Sequence, residues 1–424
     1  MRLTAIRLTP VFRTGALSLL LLSACGGSAS KSTSNFDAKC QPGAGNTLNA
    51  SCDPGFTSTA PNAPQSVQVT FSGETLAVNG LPFQPVNQGD PSFVDGWDMR
   101  FDEVLVVLGN FRLSPGATQF GGTSLSAQVN PAVATRAGPY VVDMHKPTGF
   151  VGKDGVEPAQ GIFKWDAQDN GQKLDTGTLY AFSYDVVKAT YPVASVNLSS
   201  DQQADYDLMV ANGWSKLYRG TATYVGTGKY PDPAIQAKFD ALPRTVKFYF
   251  GWNDATSYVN CVNPDNGSGG GGGDPALRGL RPSPSGAVIG QITLHVDHFV
   301  WDEVLIEGTP LRFDHIAAVA GAGAATTPVD LTKILHRPLA LTFADGTPLP
   351  DRGPYQNVPG GYTTDQANPS QITLNLNGLP SANAPDVINF MAFSAQSQMH
   401  LNANGICYVV GQHAADPFYS PGIK

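Results

Sequence analysis

Histidine is the residue type in this chain best suited to chemistry, and it is concentrated in the second part of the sequence. Of the 7 histidines, only His145 precedes residue 290. The densest group is the segment His295-Val296-Asp297-His298, in which two imidazoles flank one carboxylate. Neutral imidazole and carboxylate together form a ligand set that suits zinc, copper or iron. The residue types therefore predict a transition-metal site in this segment.

This segment lies inside an apolar run, residues 292–306, which we predict to be one β-strand. Because successive side chains of a strand point to opposite faces, His295 and Asp297 share one face, and His298 falls in an apolar row on the other. A regular strand cannot direct His295 and His298 at one ion. A bulge or the end of the strand is needed for all three side chains to converge. His298 is expected to be buried.

Further ligands are available later in the chain. His400 follows a helix predicted at residues 385–399 and stands shortly before Cys407, whose predicted disulfide would hold the segment rigid. The leading candidate ligands are therefore His295, Asp297, His298 and His400, and the less favoured ones are Asp302, Asp314 and His315. Two other interpretations stay open. The histidines could be satisfied core or surface residues, or a His–Asp pair could perform acid–base catalysis.

Common catalytic motifs are missing from the sequence. It contains no Gly-x-Ser-x-Gly, no His-Glu-x-x-His and no P-loop. We therefore expect a protein that binds or handles a metal ion without catalysis. One alternative is a structural, glycan-binding or protein-binding module without metal, for which Trp214, Tyr218 and Tyr224 are candidate sugar-stacking residues. A second alternative is a hydrolase that uses a metal-bound water, which requires an open coordination position.

One segment begins like a calcium-binding loop. Residues 166–171 read Asp-Ala-Gln-Asp-Asn-Gly, with oxygen donors at positions 1, 3 and 5 and glycine at position 6. Position 12, where such a loop needs a bidentate glutamate, is Gly177. The segment therefore predicts a polar turn rather than a calcium site.

The elements that must position these residues are mostly strands. Alternating apolar patterns predict strands at residues 66–71, 97–113, 179–187 and 245–252, in addition to 292–306. Helix signals are fewer, at residues 200–213, 327–335 and 385–399. The chain has 46 glycines and 33 prolines, so turns are frequent. The pattern favours a mainly β fold with sandwich-like antiparallel sheets and a few helices, and an α+β fold is the alternative.

Composition shifts divide the chain into segments. Residues 25–64 are small and polar and predict a flexible tether. Residues 65–262 form a β-rich domain or half, residues 263–284 a Gly/Pro-rich loop or linker, and residues 285–424 a second β-rich half with the histidines. The formal net charge is −8, which argues against nucleic acid as a partner.

The start of the chain has the pattern of an export signal. Arg2, Arg7 and Arg13 precede a short apolar run that ends in Leu22-Ser23-Ala24-Cys25. This pattern resembles the lipobox of bacterial lipoproteins. The resemblance implies that residues 1–24 are removed, that Cys25 carries the lipid, and that this lipid attaches the protein to a membrane. Because no aspartate follows Cys25, it also implies sorting to the outer membrane, where an envelope protein is an expected partner.

The remaining cysteines predict disulfides. Of 5 cysteines, Cys25 is assigned to the lipid, and the other four allow three pairings. Cys40 and Cys52 bracket a small loop, so we expect them to pair, which leaves Cys261 with Cys407. No Cys-x-x-Cys spacing supports a thiolate metal site.

Overall fold

The computed structural model describes most of the chain beyond residue 62. The described residues are Leu48 and residues 63–83, 91–119, 129–147, 150–151, 158–267, 277–304, 311–352, 371–378 and 381–411. The export signal, Cys25, Cys40, Cys52 and most of the glycine run lie outside them. No helix within the described residues is long and apolar enough to cross a membrane.

Strands dominate the described part of the chain. They are β1 Ser66–Ser72, β2 Trp97–Pro115, β3 Ala134–Arg136, β4 Tyr140–Asp143, β5 Phe150–Val151, β6 Pro158–Trp165, β7 Tyr180–Val186, β8 Ala194–Ser195, β9 Lys216–Tyr224, β10 Thr245–Trp252, β11 Thr256–Val259, β12 Ala287–Leu294, β13 Val329–Asp330, β14 Met399–Leu401 and β15 Tyr408–Gly411. The α-helices are α1 Glu74–Asn79, α2 Gln203–Asn212, α3 Pro233–Asp240, α4 Asp314–Ala320, α5 Leu331–Ile334 and α6 Val387–Ala395. The prediction of a mainly β, sandwich-like fold with few helices is confirmed.

The first sheet has the strand order β14-β12-β1-β6-β5. β1 and β12 are parallel, with Ser72 opposite Thr293 at their carboxyl ends. The other neighbours in this sheet are antiparallel. Because β1 and β12 are parallel, the residues that follow both strands emerge at the same edge of the sheet. The candidate ligands after β12 lie at this edge.

The second sheet has the order β13-β10-β9-β2-β7-β11-β15; β3 and β4 also pair with β2, and β8 pairs with β4. Most of its pairs are antiparallel, but β10 with β13 and β4 with β8 are parallel. Both sheets are thus mixed rather than purely antiparallel, which corrects that part of the prediction. Short parallel pairs leave no signature in the alternation of a single strand, so the sequence could not reveal them.

Aromatic side chains hold the segment after β12 against the second sheet. The ring centroid of Phe299 lies 5.4 Å from that of Tyr218, 5.8 Å from that of Phe250 and 6.4 Å from that of Phe101. All four side chains are buried. Each such aromatic pair adds about 0.5–1.5 kcal/mol beyond its buried area. The candidate site is therefore anchored to both sheets.

The strand predicted over residues 292–306 is wrong in its second half. β12 ends at Leu294, and His298–Val300 form a 3-10 turn. The side chain of Trp301 donates from Nε1 to the carboxylate of Asp297 across 2.9 Å and stabilises this turn. The apolar alternation of the run continues through Val296, Val300 and Val304, so its periodicity did not mark the end of the strand.

The helix starts are also displaced from the predicted positions. A capping box is formed by Ser199 and Gln202 rather than by Ser200 and Gln203, and it caps a 3-10 turn, Ser200–Gln202, that leads into α2. The helix ends where expected, because Gly213 takes the left-handed conformation with φ 66°. A cap one residue earlier is a common shift, since serine occupies both positions.

The other two predicted helices are shorter than expected. α5 follows Asp330, because Val329–Asp330 pairs with β10 as β13 instead of entering the helix. In α6, the carboxylate of the N-cap residue Asp386 accepts the backbone N–H of Asn389 at 3.0 Å. That helix stops at Ala395, and a 3-10 turn leads directly into β14. β14 carries His400 back to the edge of β12.

A disulfide links the chain after β11 to the chain before β15. Cys261 follows β11, Cys407 precedes β15, and the two are bonded across a sequence separation of 146. Both cysteines are buried. β11 and β15 are antiparallel neighbours in the second sheet. The bond therefore closes a long loop of chain at a point where the backbone is already paired.

Candidate metal centre

His295, Asp297 and His298 converge where β12 ends. One ligand atom from each of the three residues lies within 4.8 Å of the others. The turn that replaces the second half of the predicted strand produces this convergence, because it removes the alternation that would have separated the two histidines. Asp297 and His298 are each 6% exposed, and the His295 side chain is 18% exposed.

The hydrogen bonds of His298 define its tautomer. Its Nδ1 lies 2.7 Å from the Oγ of Ser397, and that hydroxyl donates its only proton to the carbonyl of Ser394 across 2.7 Å. Ser397 Oγ can therefore only accept from His298, which assigns the ring proton to Nδ1. The lone pair is left on Nε2, as a metal ligand requires.

The charge state of His298 also suits a ligand. Burial lowers its pKa well below the ordinary value, and the nearby His295, His400 and Lys216 lower it further. The ring is therefore neutral at neutral pH. A neutral imidazole is the form that coordinates a metal ion.

The ring of His295 lies beside the carboxylate of Glu74, the first residue of α1. Its Nδ1 lies 3.5 Å from Oε2 of Glu74, which follows the end of β1. The Nε2 of His295 is buried and has no hydrogen-bond partner among the described residues. An unsatisfied buried polar atom costs about 1–3 kcal/mol. A metal ion at Nε2 would remove this cost, while Glu74 orients the ring from the other side.

Glu74 occupies an unusual backbone position. Its φ is 54°, in the left-handed region that non-glycine residues rarely adopt. Its backbone N–H donates to the Oγ of Ser72 across 3.0 Å. Such strain is retained when the surroundings require it, and it is common at functional sites. Here it accompanies a carboxylate beside the ring of His295.

Asp297 supplies the negative charge of the cluster. Burial raises the pKa of its carboxyl group, whereas the charge of His295 and the hydrogen bond from Trp301 oppose this rise. The Trp301 ring also packs against the ring of His298, with a centroid distance of 3.8 Å. A bound cation would favour the ionised form of this buried carboxyl group.

His400 borders the cluster without belonging to the group of three. β14 places it opposite Thr293 of β12, and its ring centroid lies 4.6 Å from that of His295. Its Nε2 lies 2.9 Å from the carbonyl oxygen of Ser397, which can only accept a hydrogen bond. Nε2 therefore carries the ring proton. Burial, followed by the charge of His295, lowers the pKa of His400 to about 3.

The less favoured candidates lie elsewhere. Asp302 accepts from Arg312 across 2.7 Å, and Asp314 forms an ion pair with Arg352. His315 is buried in α4, and burial lowers its pKa to about 3. None of these three residues belongs to the group that converges after β12.

Sequence reasoning missed two residues of the site, Glu74 and Ser397. Glu74 reaches the cluster only through the parallel pairing of β1 and β12, which no local pattern reveals. Ser397 could have been found from its position three residues before His400, in the segment between α6 and β14.

The arrangement leaves room for an outside ligand. Two imidazoles and one carboxylate satisfy only part of the coordination of zinc or iron. Further positions could be filled by water, by a small molecule or by a displaced neighbour such as His400.

When the chain is compared with protein-family models, with curated proteins and with solved structures, none of them matches it.

Proposed function

We propose that this protein is a cell-envelope lipoprotein that binds or carries a transition-metal ion through His295, Asp297 and His298. The observation that carries the proposal is the convergence of their ligand atoms within 4.8 Å. Zinc, copper and iron are the ions that this ligand set suits. The lipid on Cys25 would tether the site at the outer membrane, and a partner in the envelope would deliver or receive the ion.

Supporting polar contacts favour a binding site over an ordinary pair of core histidines. Ser397 orients His298, and Glu74 lies beside His295 on the side away from its free nitrogen. Outer partners of this kind fix the tautomer and direction of metal-ligating histidines. An ordinary core histidine has no need of a buried ring nitrogen that, like Nε2 of His295, lacks a hydrogen-bond partner among the described residues.

A metal-dependent hydrolase is the second candidate function. Three protein ligands with open positions are typical of catalytic zinc sites. A sugar-binding surface has weaker support, because Trp214, Tyr218 and Tyr224 are all buried.

The proposal is tested by elemental analysis of the untagged protein, produced in the periplasm and dialysed after reconstitution. The informative variant is His298→Gln, and the matched control is His315→Gln, because both histidines are 6% exposed. We expect about one equivalent of zinc, copper or iron in the wild type and in the control, and its loss in the variant. Wild-type protein without stoichiometric metal, or a variant that retains it, would refute the proposal.

A further inference from the structure

A cavity of about 150 Å³ lies between β2, the end of β9 and α3. Its lining includes Trp97, Tyr224, Phe239 and Arg244, together with Lys229 from the loop after β9. None of its lining residues belongs to the histidine cluster. We call it the Arg244 cavity, and its chemistry differs from that of the metal centre.

One wall of the Arg244 cavity is a rigid stack. The guanidinium of Arg352 lies 4.1 Å from the ring centroid of Tyr224 and 4.5 Å from that of Phe239. Its Nε donates to the carboxylate of Asp314 across 2.9 Å. The charge of Arg352 is therefore compensated inside the protein. The stack supplies a preformed wall rather than a free cation.

Two other cations at the Arg244 cavity are not compensated in this way. Arg244 and Lys229 are exposed, and neither forms an ion pair with any residue that the structure describes. Arg244 packs on Tyr224, with its guanidinium 5.0 Å from the ring centroid, and donates to the Tyr224 carbonyl across 3.3 Å. These contacts hold the guanidinium group in place, and most of its donors have no partner among the residues that the structure describes.

The acidic residue that lines the Arg244 cavity is Asp240. Asp240 accepts the side-chain amide of Gln236 across 2.8 Å. Two cations therefore face one carboxylate, on a chain whose formal net charge is −8. A cleft lined by positive charge raises the local concentration of anions.

We propose that the Arg244 cavity binds a small organic carboxylate. The guanidinium of Arg244 matches a carboxylate in shape, and Lys229 adds a second charge. Leu242 and Pro243 line the cavity and offer contact to an apolar body. A cavity of this volume holds a molecule of about one six-membered ring. The ligand is therefore a monocarboxylate no larger than a single ring.

The test is a ¹⁹F NMR titration of the full-length protein in detergent, with 4-fluorobenzoate as the probe. We expect millimolar binding, and much weaker binding of 4-fluorobenzamide, which has the same shape without the charge. Arg244→Gln and Lys229→Gln should each weaken 4-fluorobenzoate binding about tenfold. Lys247→Gln, which changes an exposed lysine of β10 outside the cavity, should leave it unchanged.

Three outcomes would overturn the proposal. The first is equal binding of the benzoate and the benzamide, because the cavity would then recognise only shape. The second is unchanged binding in Arg244→Gln. The third is no binding of 4-fluorobenzoate at tens of millimolar. All variants change exposed side chains, so each is expected to fold as the wild type does.

Discussion

The Nδ1 of His298 donates to the Oγ of Ser397 across 2.7 Å, and the Ser397 hydroxyl donates its own proton to the carbonyl of Ser394. This relationship fixes the histidine in one tautomer before an ion binds. Because Nε2 keeps its lone pair, the ring is organised as a ligand in the metal-free chain. The candidate site therefore depends on residues from α6 and the turn after it, as well as on the end of β12.

Replacing Ser397 should weaken metal binding. Ser397→Ala removes the acceptor for the Nδ1 proton, so His298 loses its fixed tautomer and orientation. We expect metal affinity to fall about 10-fold to 100-fold, measured by competition with a chromophoric chelator. Ser183→Ala is a matched control, because Ser183 is also buried and its Oγ accepts a backbone N–H at 3.1 Å. An equal loss of affinity in both variants would contradict the assigned role.

Glu74 should act on affinity through His295. Glu74→Gln keeps the size of the side chain and removes the charge that lies 3.5 Å from Nδ1 of His295. We expect metal affinity to fall by about tenfold or more, while the thermal midpoint of the metal-free protein changes little. Glu303→Gln, another half-buried glutamate, should bind metal as the wild type does. If Glu74→Gln leaves the metal affinity unchanged, Glu74 does not support the site.

His315 should make the protein less stable in acid. Burial lowers its pKa to about 3 in the folded state, whereas an unfolded histidine titrates near 6.5. Between these values the unfolded chain binds a proton that the folded chain does not. The histidine's contribution to stability is therefore complete above about pH 6.5 and is lost as the pH falls toward about 3.

This effect can be isolated by difference. His315→Gln should flatten the dependence of the unfolding free energy on pH between pH 6 and pH 4 by about 1.4 kcal/mol per pH unit. Urea titrations of metal-free protein at several pH values give this slope. His336→Gln, at a side chain that is 62% exposed, is the control. Identical slopes in the wild type and in His315→Gln would show that the ring is not buried in its neutral form.

The bond between Cys261 and Cys407 should contribute strongly to stability, because it closes a loop with a sequence separation of 146. The loop-entropy relation gives roughly 5 kcal/mol for a loop of this length. Dithiothreitol should therefore lower the thermal midpoint of the wild type. The Cys261→Ser/Cys407→Ser double variant should melt earlier and respond less to the reductant than the wild type does. Unfolding makes the bond accessible to dithiothreitol. If the reductant then leaves the thermal midpoint of the wild type unchanged, the two cysteines are not bonded.

Several elements followed from the sequence because their patterns are one-sided. β10 spans Thr245–Trp252, as its alternation predicted, with Val246, Phe248 and Phe250 all buried on one face. The run at residues 292–306 keeps its apolar alternation through Val296, Val300 and Val304, so the same reasoning extended β12 too far. Local periodicity does not mark a turn that is itself buried, as His298–Val300 is, because such a turn also needs apolar residues.

The sequence predicted the ligands of the candidate site but not the residues, Glu74 and Ser397, that contact the two histidine rings. The residue types at His295, Asp297 and His298 suggested a metal, and the need for a strand end was stated from geometry alone. The contact between Glu74 and His295 depends on the parallel pairing of β1 and β12, strands that are far apart in the sequence. A pairing of this range is set by the whole sheet, so no local pattern contains it.

The most direct test is anomalous diffraction from crystals of the protein soaked in zinc, recorded at the zinc absorption edge. We expect a peak about 2.0–2.2 Å from Nε2 of His295, Nε2 of His298 and a carboxylate oxygen of Asp297. Glu74 and Ser397 should stay on the far nitrogens of the two rings. Full zinc occupancy elsewhere with no peak at the end of β12 would show that these three residues do not form a metal site.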